Sequence, residues 1–581
     1  MTTENIPLFD PKKGTLGPWR IHSRRRPGDE IQPVLDRLGP SSAGVLVWGI
    51  GLGYHLEKIV EYFPDQTLLL VEPHPEVWKV VEKRILEFSA GKKTIHFLGP
   101  GNLATDAQGL IAHLAPGQTD PPPSIVILPA YRQGFPETCE TLFRRLRILE
   151  DRRSINLATL KRFGKLWLRN TLRNTYVYSK AWEIQSLFGR FTDMPALLLA
   201  GGPSLTKYLP LLPSLVNSFL IVCVDTALRP VLEQGIEPDF VVIVDPQYWN
   251  TRHLDRLTKV SSLFVTEISV HPRSLDPMAY PPLLSGSVFP LGEFLEEGRY
   301  NRLGAGGSVA TTGWDFLRNL GVAQVVCVGM DLGFPELETH VAGSFSEGLK
   351  FLTSTRYSTE ETQGTKFLYS GQPVYVENYA GEPLLSDQRM NIYAAWFEAR
   401  LKDQGAPPTY NLGFGSRKIE GITPVETDFL FDQNNEIRAQ INDLLREKKR
   451  DTFVRSVSFQ ETQNSPFGIR LKRVMNDLTI LKAIAARGTR LIEQFLGTTN
   501  PDKPSGKTAT LVTKLDVVDQ EILGISSRRI IGFLIEDVTY ELQALPPPQS
   551  FTESLERSLA LYRGIYDSTL WLQGEFGETG Q

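Results

Sequence analysis

Short apolar runs that stop at a glycine or an acidic residue are the feature that most constrains the fold of this chain. The clearest is ALLLAGGPSL, Ala196–Leu205, in which an apolar run of strand length ends at two glycines and passes into a helical pattern. Similar runs recur at Leu220–Val224, Phe240–Val244 and Gln324–Val328, with helical segments between most of them. Strands that alternate with helices predict a parallel sheet with helices on its faces. The middle of the chain is therefore predicted to be a doubly wound, Rossmann-like α/β domain.

A second α/β domain is predicted at the N-terminus. The apolar run at 43–50 is followed by a glycine turn at 51–53, and the run Thr67–Val71 ends at Glu72. A glycine turn after one strand and an acid after the next also suits methyltransferases and dinucleotide enzymes. Because residues 54–55, a tyrosine and a histidine, replace the third glycine of the dinucleotide pattern, we interpret this domain as a non-catalytic relative of that fold.

Helical periodicity covers the region between the two α/β domains and the last quarter of the chain. The fold class is therefore α/β, with a helical C-terminal part. The sequence predicts four regions: an N-terminal Rossmann-like α/β domain at 1–136, a helical connector at 137–190, a central α/β domain at 191–426 and a C-terminal helical bundle at 427–581.

Charge and composition exclude several classes of protein. The 62 Lys and Arg residues are balanced by 66 Asp and Glu, so no overall basic field exists to bind nucleic acid. No run of about 18 apolar residues occurs, and the N-terminus has no apolar stretch after its charges, so neither a membrane span nor a signal peptide is predicted. Only three cysteines occur, in no metal-binding spacing. We expect a cytoplasmic protein.

The turn Gly201-Gly202-Pro203-Ser204 is the sharpest candidate site. The two glycines let the backbone approach a ligand closely, and Pro203 favours the start of a helix. Ser204 offers a hydroxyl beside the exposed N–H groups of that helix, where a phosphate fits. The spacing alone is equally compatible with a tight strand-to-helix turn that binds no ligand.

Acidic residues follow two neighbouring predicted strands. Asp225 and Asp245 each come after an apolar run, at the edge where open α/β sheets bind ligands. Two acids there can bind sugar hydroxyls, hold a divalent cation with waters, or cap the neighbouring helices. These three interpretations stay open at this point.

A second glycine-rich turn precedes the last of these strands. Gly306, Gly307 and Ser308 open the predicted helix that returns to the strand QVVCV, which then delivers Asp331 to the sheet edge. His340 follows in a predicted loop, where it can supply a base to the same cleft or be an ordinary polar surface residue.

The strings LLLAGGPSL, GIEPDFVVIVDPQ and GGSVATTGWDFLRNLGVAQVVCVGMDLGF, followed by THVAG, resemble the shared core of two protein families. These are the motility-associated-factor (Maf) glycosyltransferases, which modify flagellin, and the MptE-like pterin diphosphokinases. The resemblance spans residues 190–425. The extra N-terminal and C-terminal parts are similar to those of the longer flagellar proteins, whose core resembles that of bacterial sialyltransferases.

This resemblance implies a glycosyltransferase that moves a nonulosonic acid of the pseudaminic, legionaminic or sialic type from a CMP-activated donor to Ser or Thr of flagellin. It implies that Asp331 or His340 is the catalytic base. It also implies that Gly306, Gly307 and Ser308 close the donor site. The remaining residues implied to bind the nucleotide or sugar are Gly201, Gly202, Pro203, Ser204, Asp225 and Asp245. Tyr393 and Trp396 resemble the end of the family core, and we favour core packing for both.

Two alternatives remain. One is an MptE-like diphosphokinase that moves pyrophosphate from ATP to 6-hydroxymethyl-dihydropterin, with acids able to hold Mg²⁺. The other is a non-catalytic protein that binds flagellin. No metal ligand or cofactor is assigned, and a need for Mg²⁺ stays open. The C-terminal helices favour the transferase, because a protein-modifying enzyme needs an acceptor surface.

Overall fold

The computed structural model describes residues 8–35, 44–63, 66–89, 95–99, 123–431, 436–450, 465–498, 506–546 and 548–579. The chain separates into two compact units. The smaller consists of Met1–Arg162 with Thr539–Pro546, and the larger of Phe163–Val538 with Pro547–Gln581. The boundary falls within the helix Pro136–Arg173. Each unit has its own apolar core.

The smaller unit contains a four-stranded parallel sheet in the order β6-β5-β4-β7, and a small antiparallel sheet β1-β2-β3. Its strands are β1 (Phe9–Asp10), β2 (Thr15–Leu16), β3 (Trp19–Arg20), β4 (Gly44–Trp48), β5 (Thr67–Val71), β6 (Ile95–Leu98) and β7 (Ser124–Ile127). Its helices are Gln32–Leu35, Leu56–Tyr62, Pro75–Ser89, Pro129–Gly134 and Glu536–Ala544 in part, besides the start of Pro136–Arg173. β4 is buried along its whole length, as expected for a strand covered on both faces.

The larger unit is built on a nine-stranded sheet in the order β18-β17-β14-β9-β10-β11-β12-β13-β8. Every pairing in it is parallel. Its strands are β8 (Trp182–Glu183), β9 (Pro195–Leu199), β10 (Leu220–Val224), β11 (Phe240–Ile243), β12 (Leu263–Glu267), β13 (Leu283–Ser285), β14 (Gln324–Val328), β17 (Thr409–Leu412) and β18 (Thr423–Val425). The predicted α/β fold class is confirmed.

Helices and one hairpin complete the larger unit. The hairpin is β15 (Pro373–Glu377) with β16 (Pro383–Asp387). The helices among the strands are Leu205–Tyr208, Leu212–Leu215, Asp225–Glu233, Tyr248–Thr251, Pro290–Glu296, Val309–Leu320, Phe345–Thr353, Glu360–Ser370 and Gln388–Arg400. Those after the last strand are Asp428–Phe431, Arg438–Arg446, Pro466–Thr498, Gly506–Gly524, Arg528–Leu534 and Phe551–Thr579.

The end of the long helix Pro136–Arg173 lies against the carboxyl ends of β11 and β12. Asn170 Nδ2 donates to the carbonyls of Pro246 and Ser269, at 2.9 Å each. Asn174, just after the helix, donates in the same way to Ile268 O at 2.9 Å and Val270 O at 2.7 Å. Two buried amides thus satisfy loop carbonyls that have no strand partner, and they hold the loops that form one side of the sheet edge.

Two long C-terminal helices, Pro466–Thr498 and Phe551–Thr579, pack along each other. A side chain at Gly488 would come within 2.8 Å of the Tyr562 ring, so the glycine allows close packing there. Within the described ranges, we find no helix with the apolar length needed to cross a bilayer. β8, at the far edge of the nine-stranded sheet, lies inside the segment predicted to be a helical connector. The long α-helix of that segment ends at Arg173, and two short 3-10 helices, Thr175–Ser179 and Ile184–Leu187, follow it.

Candidate functional site

The strand order places the candidate residues at one edge of the sheet. The chain runs outward from β9 through β10, β11, β12 and β13, and then returns to the opposite side of β9 as β14. Ligands of open α/β sheets bind outside the carboxyl ends of the strands at such a reversal. The turn Gly201–Ser204 follows β9, and Gly329–Asp331 follows β14. The reversal therefore lies between these two loops.

Direct contacts join these two loops. The Gly202 amide donates to Gly329 O at 2.8 Å, and the Ser204 amide donates to Asp331 Oδ2 at 3.0 Å. A Cβ on Gly202 would lie 2.3 Å from Asp331 Oδ2 and 2.4 Å from Gly329 O. Only glycine fits at position 202, because one of these two atoms, Gly329 O, belongs to the backbone and cannot rotate away.

Asp331 is buried, with 2% of its surface exposed, and both of its carboxylate oxygens accept hydrogen bonds. The Ser416 hydroxyl donates to Oδ1 at 2.7 Å, which complements the Ser204 amide on Oδ2. Burial raises the pKa of Asp331, and the bonds from Ser204 and Ser416 act against that rise. The contacts of Asp331 are therefore those of a residue that fixes three loops, and they leave little room for an acceptor hydroxyl to reach it.

The geometry around Ser204 corrects one sequence expectation. The helix that follows is Leu205–Tyr208, only four residues long, and the Ser204 amide already donates to the Asp331 carboxylate. A phosphate at that amide would meet the negative charge of the same carboxylate. A ligand at the Gly201–Ser204 turn must therefore bind through other groups than the Ser204 N–H.

The second glycine turn lies at the same edge, because its helix Val309–Leu320 runs back to the start of β14. Ser308 caps this helix, its hydroxyl accepting from the Ala310 amide at 3.3 Å. Gly307 is exposed and has a φ of 95°. The two turns thus occur on one edge of the sheet, and in each at least one glycine remains open to solvent.

Two aromatic side chains explain why the second turn needs glycine at positions 306 and 307. A Cβ on Gly306 would lie 2.6 Å from the Trp396 ring, and one on Gly307 would lie 2.7 Å from the Tyr393 ring. The glycines therefore allow the helix Gln388–Arg400 to pack closely, in agreement with the packing role favoured for both aromatics. Burial raises the pKa of Tyr393, and the Asp245 carboxylate adds to this rise, so the turn lies near the rim acids.

Asp225 and Asp245 follow the adjacent strands β10 and β11, and the charge of Asp245 affects the pKa of Asp225. Asp225 is completely buried, and its Oδ1 accepts from the Thr226 amide at 2.8 Å. Its Oδ2 has no hydrogen-bond partner among the described residues. Burial, together with the smaller effect of the Asp245 carboxylate, raises the pKa of Asp225 to about 7. Asp245 is half-buried and accepts from the Gln247 amide at 2.7 Å; burial raises its pKa too.

The Asp225 side chain does not cap a helix. The helix Asp225–Glu233 starts at this residue, and the side chain bonds only to the next residue rather than to an amide one turn into the helix. An unpaired, buried carboxyl oxygen is costly for folding alone. Its presence at the ligand-binding edge favours a functional interpretation of Asp225.

We expect Asp225→Asn to stabilise the larger unit at alkaline pH relative to the native protein. The folded-state pKa of about 7 lies above the ordinary 3.8, so the native protein loses stability as pH rises between these values. The loss is on the order of 4 kcal/mol over this interval, at about 1.36 kcal/mol for each of roughly three pKa units. Thermal unfolding at pH 5 and pH 8 measures the effect: the Tm gap between variant and native protein should widen at pH 8. The exposed Asp193→Asn is the control, and an equal gap at both pH values would contradict the assignment.

His340 lies in the loop after β14, and that loop is bonded to the first glycine turn. The Val341 amide donates to Gly201 O at 3.0 Å, and the Ala342 amide donates to Thr206 Oγ1 at 3.0 Å. The His340 side chain is 30% exposed. Burial lowers its pKa to about 4, so the imidazole is neutral at physiological pH.

Thr339 sets the orientation of this imidazole. Its hydroxyl donates to Glu347 Oε1 at 2.7 Å and accepts from Lys350 Nζ at 2.6 Å. Its remaining lone pair faces His340 Nδ1 at 3.1 Å. Because that hydroxyl accepts here, Nδ1 carries the proton and Nε2 carries the lone pair. The arrangement presents a neutral base beside the Gly201 turn.

Several residues of this edge escaped the sequence interpretation. Ser416 and Thr339 are ordinary polar residues in the sequence, and only their contacts to Asp331 and His340 give them a role. Arg417 is bonded to the Asp331 loop through its backbone, since its amide donates to Asp331 O at 2.9 Å. Its half-buried side chain donates from Nη1 to Asn391 Oδ1 at 2.5 Å.

Side chains of the protein occupy the space beside the glycine turn of the smaller unit. Glu72, fully buried, accepts from the amides of Ile50 and Gly51 at 3.0 Å each, and from the Tyr131 hydroxyl at 2.7 Å. A Cβ on Gly49 would lie 2.2 Å from the Tyr131 ring. The acid that would bind a ribose in a dinucleotide enzyme is thus occupied, which favours the non-catalytic interpretation of this unit.

A histidine covers the rest of the same turn. The Leu52 amide donates to His22 Nε2 at 2.8 Å, and His22 Nδ1 contacts Glu30 Oε1 at 2.5 Å. With His55, these residues form a cluster of metal-ligand type. Both nitrogens of His22 are already in use, so metal binding there would break an existing bond. His22 and Glu30 are therefore part of the turn's internal support, whereas the two ring nitrogens of the buried His55 have no hydrogen-bond partner among the described residues.

Parts of the chain are similar in sequence to known proteins. Residues 169–337 match the family described as 6-hydroxymethylpterin diphosphokinase MptE-like. An uncharacterized protein of Treponema pallidum (strain Nichols) is 33% identical over 224 residues, which are 33% of this chain and 56% of that protein. A second protein from the same organism is 25% identical over 268 residues, 44% of this chain and 54% of its own. The chain thus spans about half the length of these relatives.

A solved structure extends the comparison to nearly the whole chain. The Maf glycosyltransferase from Magnetospirillum magneticum AMB-1 aligns with 98% of this chain and 87% of its own, with a TM-score of 0.52 and 15% sequence identity. At that identity the comparison concerns the fold. The chain therefore shares the fold of that protein, and its residues 169–337 are similar to the MptE-like family.

Proposed function

We propose that this protein is a glycosyltransferase that moves a nonulosonic acid from a CMP-activated donor to a Ser or Thr hydroxyl of flagellin in the cytoplasm. The observation that carries the proposal is the placement of a neutral, oriented His340 beside the glycine turn at the strand-order reversal. The fold shared with a Maf glycosyltransferase supports the reaction class. The donor and acceptor follow from the sequence resemblance.

Donor binding uses the edge between β9 and β14. The phosphate of the nucleotide binds at the partly exposed turn Gly201–Gly202, and Arg417, whose amide is bonded to Asp331 O, supplies positive charge on this edge. Gly307, exposed at the N-terminus of the helix Val309–Leu320, adds a favourable helix dipole for an anion. Pro203 and Ser204 fix the shape of the first turn without binding the phosphate through the Ser204 amide.

The transfer step needs a base and stabilisation of the leaving group. The bond between the anomeric carbon and the phosphate oxygen of CMP breaks, and its electron pair leaves with the phosphate. The acceptor hydroxyl oxygen forms the new bond to that carbon, and its proton passes to His340 Nε2. The Arg417 charge and the helix dipole stabilise the charge that grows on the phosphate. Asp331 holds the loops that position these groups, and we assign it no proton transfer.

The test is sugar transfer by the purified full chain. The protein is incubated with CMP-N-acetylneuraminic acid, as a commercially available nonulosonic donor, and with flagellin, and the intact mass of flagellin is measured. An added sugar mass that disappears when the donor is replaced by UDP-N-acetylglucosamine supports the proposal. Unmodified flagellin with CMP-pseudaminic, CMP-legionaminic and CMP-N-acetylneuraminic acid alike would overturn it.

A diphosphokinase is the second candidate, favoured by the MptE-like match and by the two rim acids. Asp225 Oδ2 and the Asp245 carboxylate, on adjacent strand ends, are chemically suited to a Mg²⁺ ion that also binds ATP phosphates. Incubation with ATP, Mg²⁺ and 6-hydroxymethyl-dihydropterin tests it, because release of AMP with formation of the pterin diphosphate would establish this reaction. If neither reaction occurs and flagellin binds, the protein is a binding module.

A further inference from the structure

Two exposed aromatic residues stand at the carboxyl end of β11, next to the candidate donor site. The helix Tyr248–Thr251 begins three residues after Asp245, and Trp249 within it is 60% exposed. Tyr248, 44% exposed, precedes it, and the two rings meet edge to face at 5.8 Å between centroids. An indole that is more than half exposed contributes little to folding, because most of its apolar surface stays in water.

The Tyr248 ring beside Trp249 is nonetheless held by hydrogen bonds. Arg273 Nη1 donates to the Tyr248 hydroxyl at 3.2 Å, and its guanidinium lies 5.7 Å from the Tyr248 ring centroid. Arg273 Nη2 is in turn bound to Asp255 Oδ1 at 2.8 Å. Arg273, itself held by Asp255, thus fixes the Tyr248 ring that the indole contacts. A rigid base under an exposed aromatic face is the arrangement expected of a stacking surface for a ligand.

The sheet geometry fixes how far this surface lies from the glycine turn. β9 and β11 are separated by β10, so their carboxyl ends lie about 10 Å apart at about 4.8 Å per strand. A phosphate bound at Gly201–Gly202 would therefore lie about two strand spacings from the end of β11, the strand that leads into Asp245 and Trp249. The Asp245 carboxylate offers a hydrogen-bond acceptor to hydroxyls of the same ring.

We propose that the Trp249 indole is the stacking surface for the pyranose ring of the donor sugar, with Asp245 as the acceptor for its hydroxyl groups. The inference rests on the proposed glycosyltransferase function. It adds a residue that selects the sugar rather than the nucleotide. The C–H bonds of one face of a pyranose pack against an aromatic ring, whereas the phosphate and the base of the donor are held elsewhere on the edge.

The test compares two probes by isothermal titration calorimetry with the full chain: CMP, and CMP-N-acetylneuraminic acid. Loss of one aromatic contact is worth about three- to tenfold in Kd. We expect Trp249→Ala to weaken the CMP-sugar by that factor and to leave the Kd for CMP within twofold. Trp249→Phe should recover most of the lost affinity, because it restores an aromatic face. Tyr357→Ala, which removes a 92% exposed aromatic from the same unit, is the matched control and should change neither Kd.

Other outcomes overturn the inference in distinguishable ways. Equal weakening of CMP and of the CMP-sugar by Trp249→Ala would mean that the indole stacks on the base. Unchanged Kd values for both probes would mean that Trp249 contacts neither part of the donor. If the native protein binds neither probe, the proposed function fails, and the stacking surface fails with it; the native control thus separates the two failures.

Discussion

Replacement of His340 by glutamine is expected to lower the rate of sugar transfer by about 10²–10⁴-fold, the usual contribution of a general base. Glutamine retains a polar side chain of similar length but cannot take the acceptor proton at neutral pH. The fold should be unaffected, because His340 is partly exposed and its ring, besides a hydrogen bond with Thr339, has only loose contacts with Phe367 and Glu347 among the described residues. The measurement is kcat for transfer to flagellin, together with the Tm of each protein.

The dependence of the native transfer rate on pH is a second test of His340 as the base. The pKa of His340 is lowered to about 4, so its imidazole is deprotonated and active above that pH. The rate should therefore fall only as pH drops toward 4 and should show no ascending limb near pH 6.5. Glu338→Gln, an exposed change two residues upstream, is the control and should keep the native rate. A His340→Gln protein with more than half the native kcat would mean that the base is another group.

Replacement of Asp331 by alanine is expected to lower the free energy of unfolding of the larger unit by about 2–4 kcal/mol. The change leaves the Ser204 amide and the Ser416 hydroxyl without their acceptor, at about 1–3 kcal/mol for each unsatisfied group. The β9 and β14 loops then lose the carboxylate that joins them, so nucleotide binding should fall with stability. Urea unfolding and titration with CMP measure the two effects.

The conservative variant decides whether Asp331 is a base or an anchor. In Asp331→Asn the amide oxygen can still accept from the Ser204 N–H, and the new NH₂ group can donate to Ser416 Oγ. We therefore expect a Tm close to that of the native protein and transfer within about tenfold of its rate. A variant with the native Tm and a rate loss beyond about 10³-fold would instead show that the Asp331 carboxylate takes the proton.

The strands in the middle of the sheet were predictable, because each is a buried apolar run with a turn at its end. The expected strands Leu220–Val224, Thr67–Val71 and Gln324–Val328 have those bounds in the structure. The edge strands were not predicted. β8 and β18, of two and three residues, are too short to carry a pattern, and β17 is the mixed sequence Thr-Tyr-Asn-Leu. Strands at the edge need less apolar surface, and so they leave a weaker signal.

The candidate site was predictable to the level of the sheet edge and no further. Parallel strands bring their carboxyl ends together, so the rim positions of Asp225, Asp245 and Asp331 followed from the strand pattern. The structural role of Asp331, which joins loops, could not be predicted from the strand pattern, because its partner Ser416 lies 85 residues away in sequence. The same holds for the close fit of Tyr393 on Gly307. Such contacts depend on the tertiary packing of distant segments, which no local pattern encodes.

The position of bound CMP in a crystal structure of the full chain tests the central claim most directly. The account predicts electron density for the phosphate at the carboxyl edge of the nine-stranded sheet, beside Gly201 and Gly202 and within reach of the Arg417 guanidinium. Density for CMP at the glycine turn 51–53 of the smaller unit, with Tyr131 and His22 displaced, would contradict the assignment of the donor site.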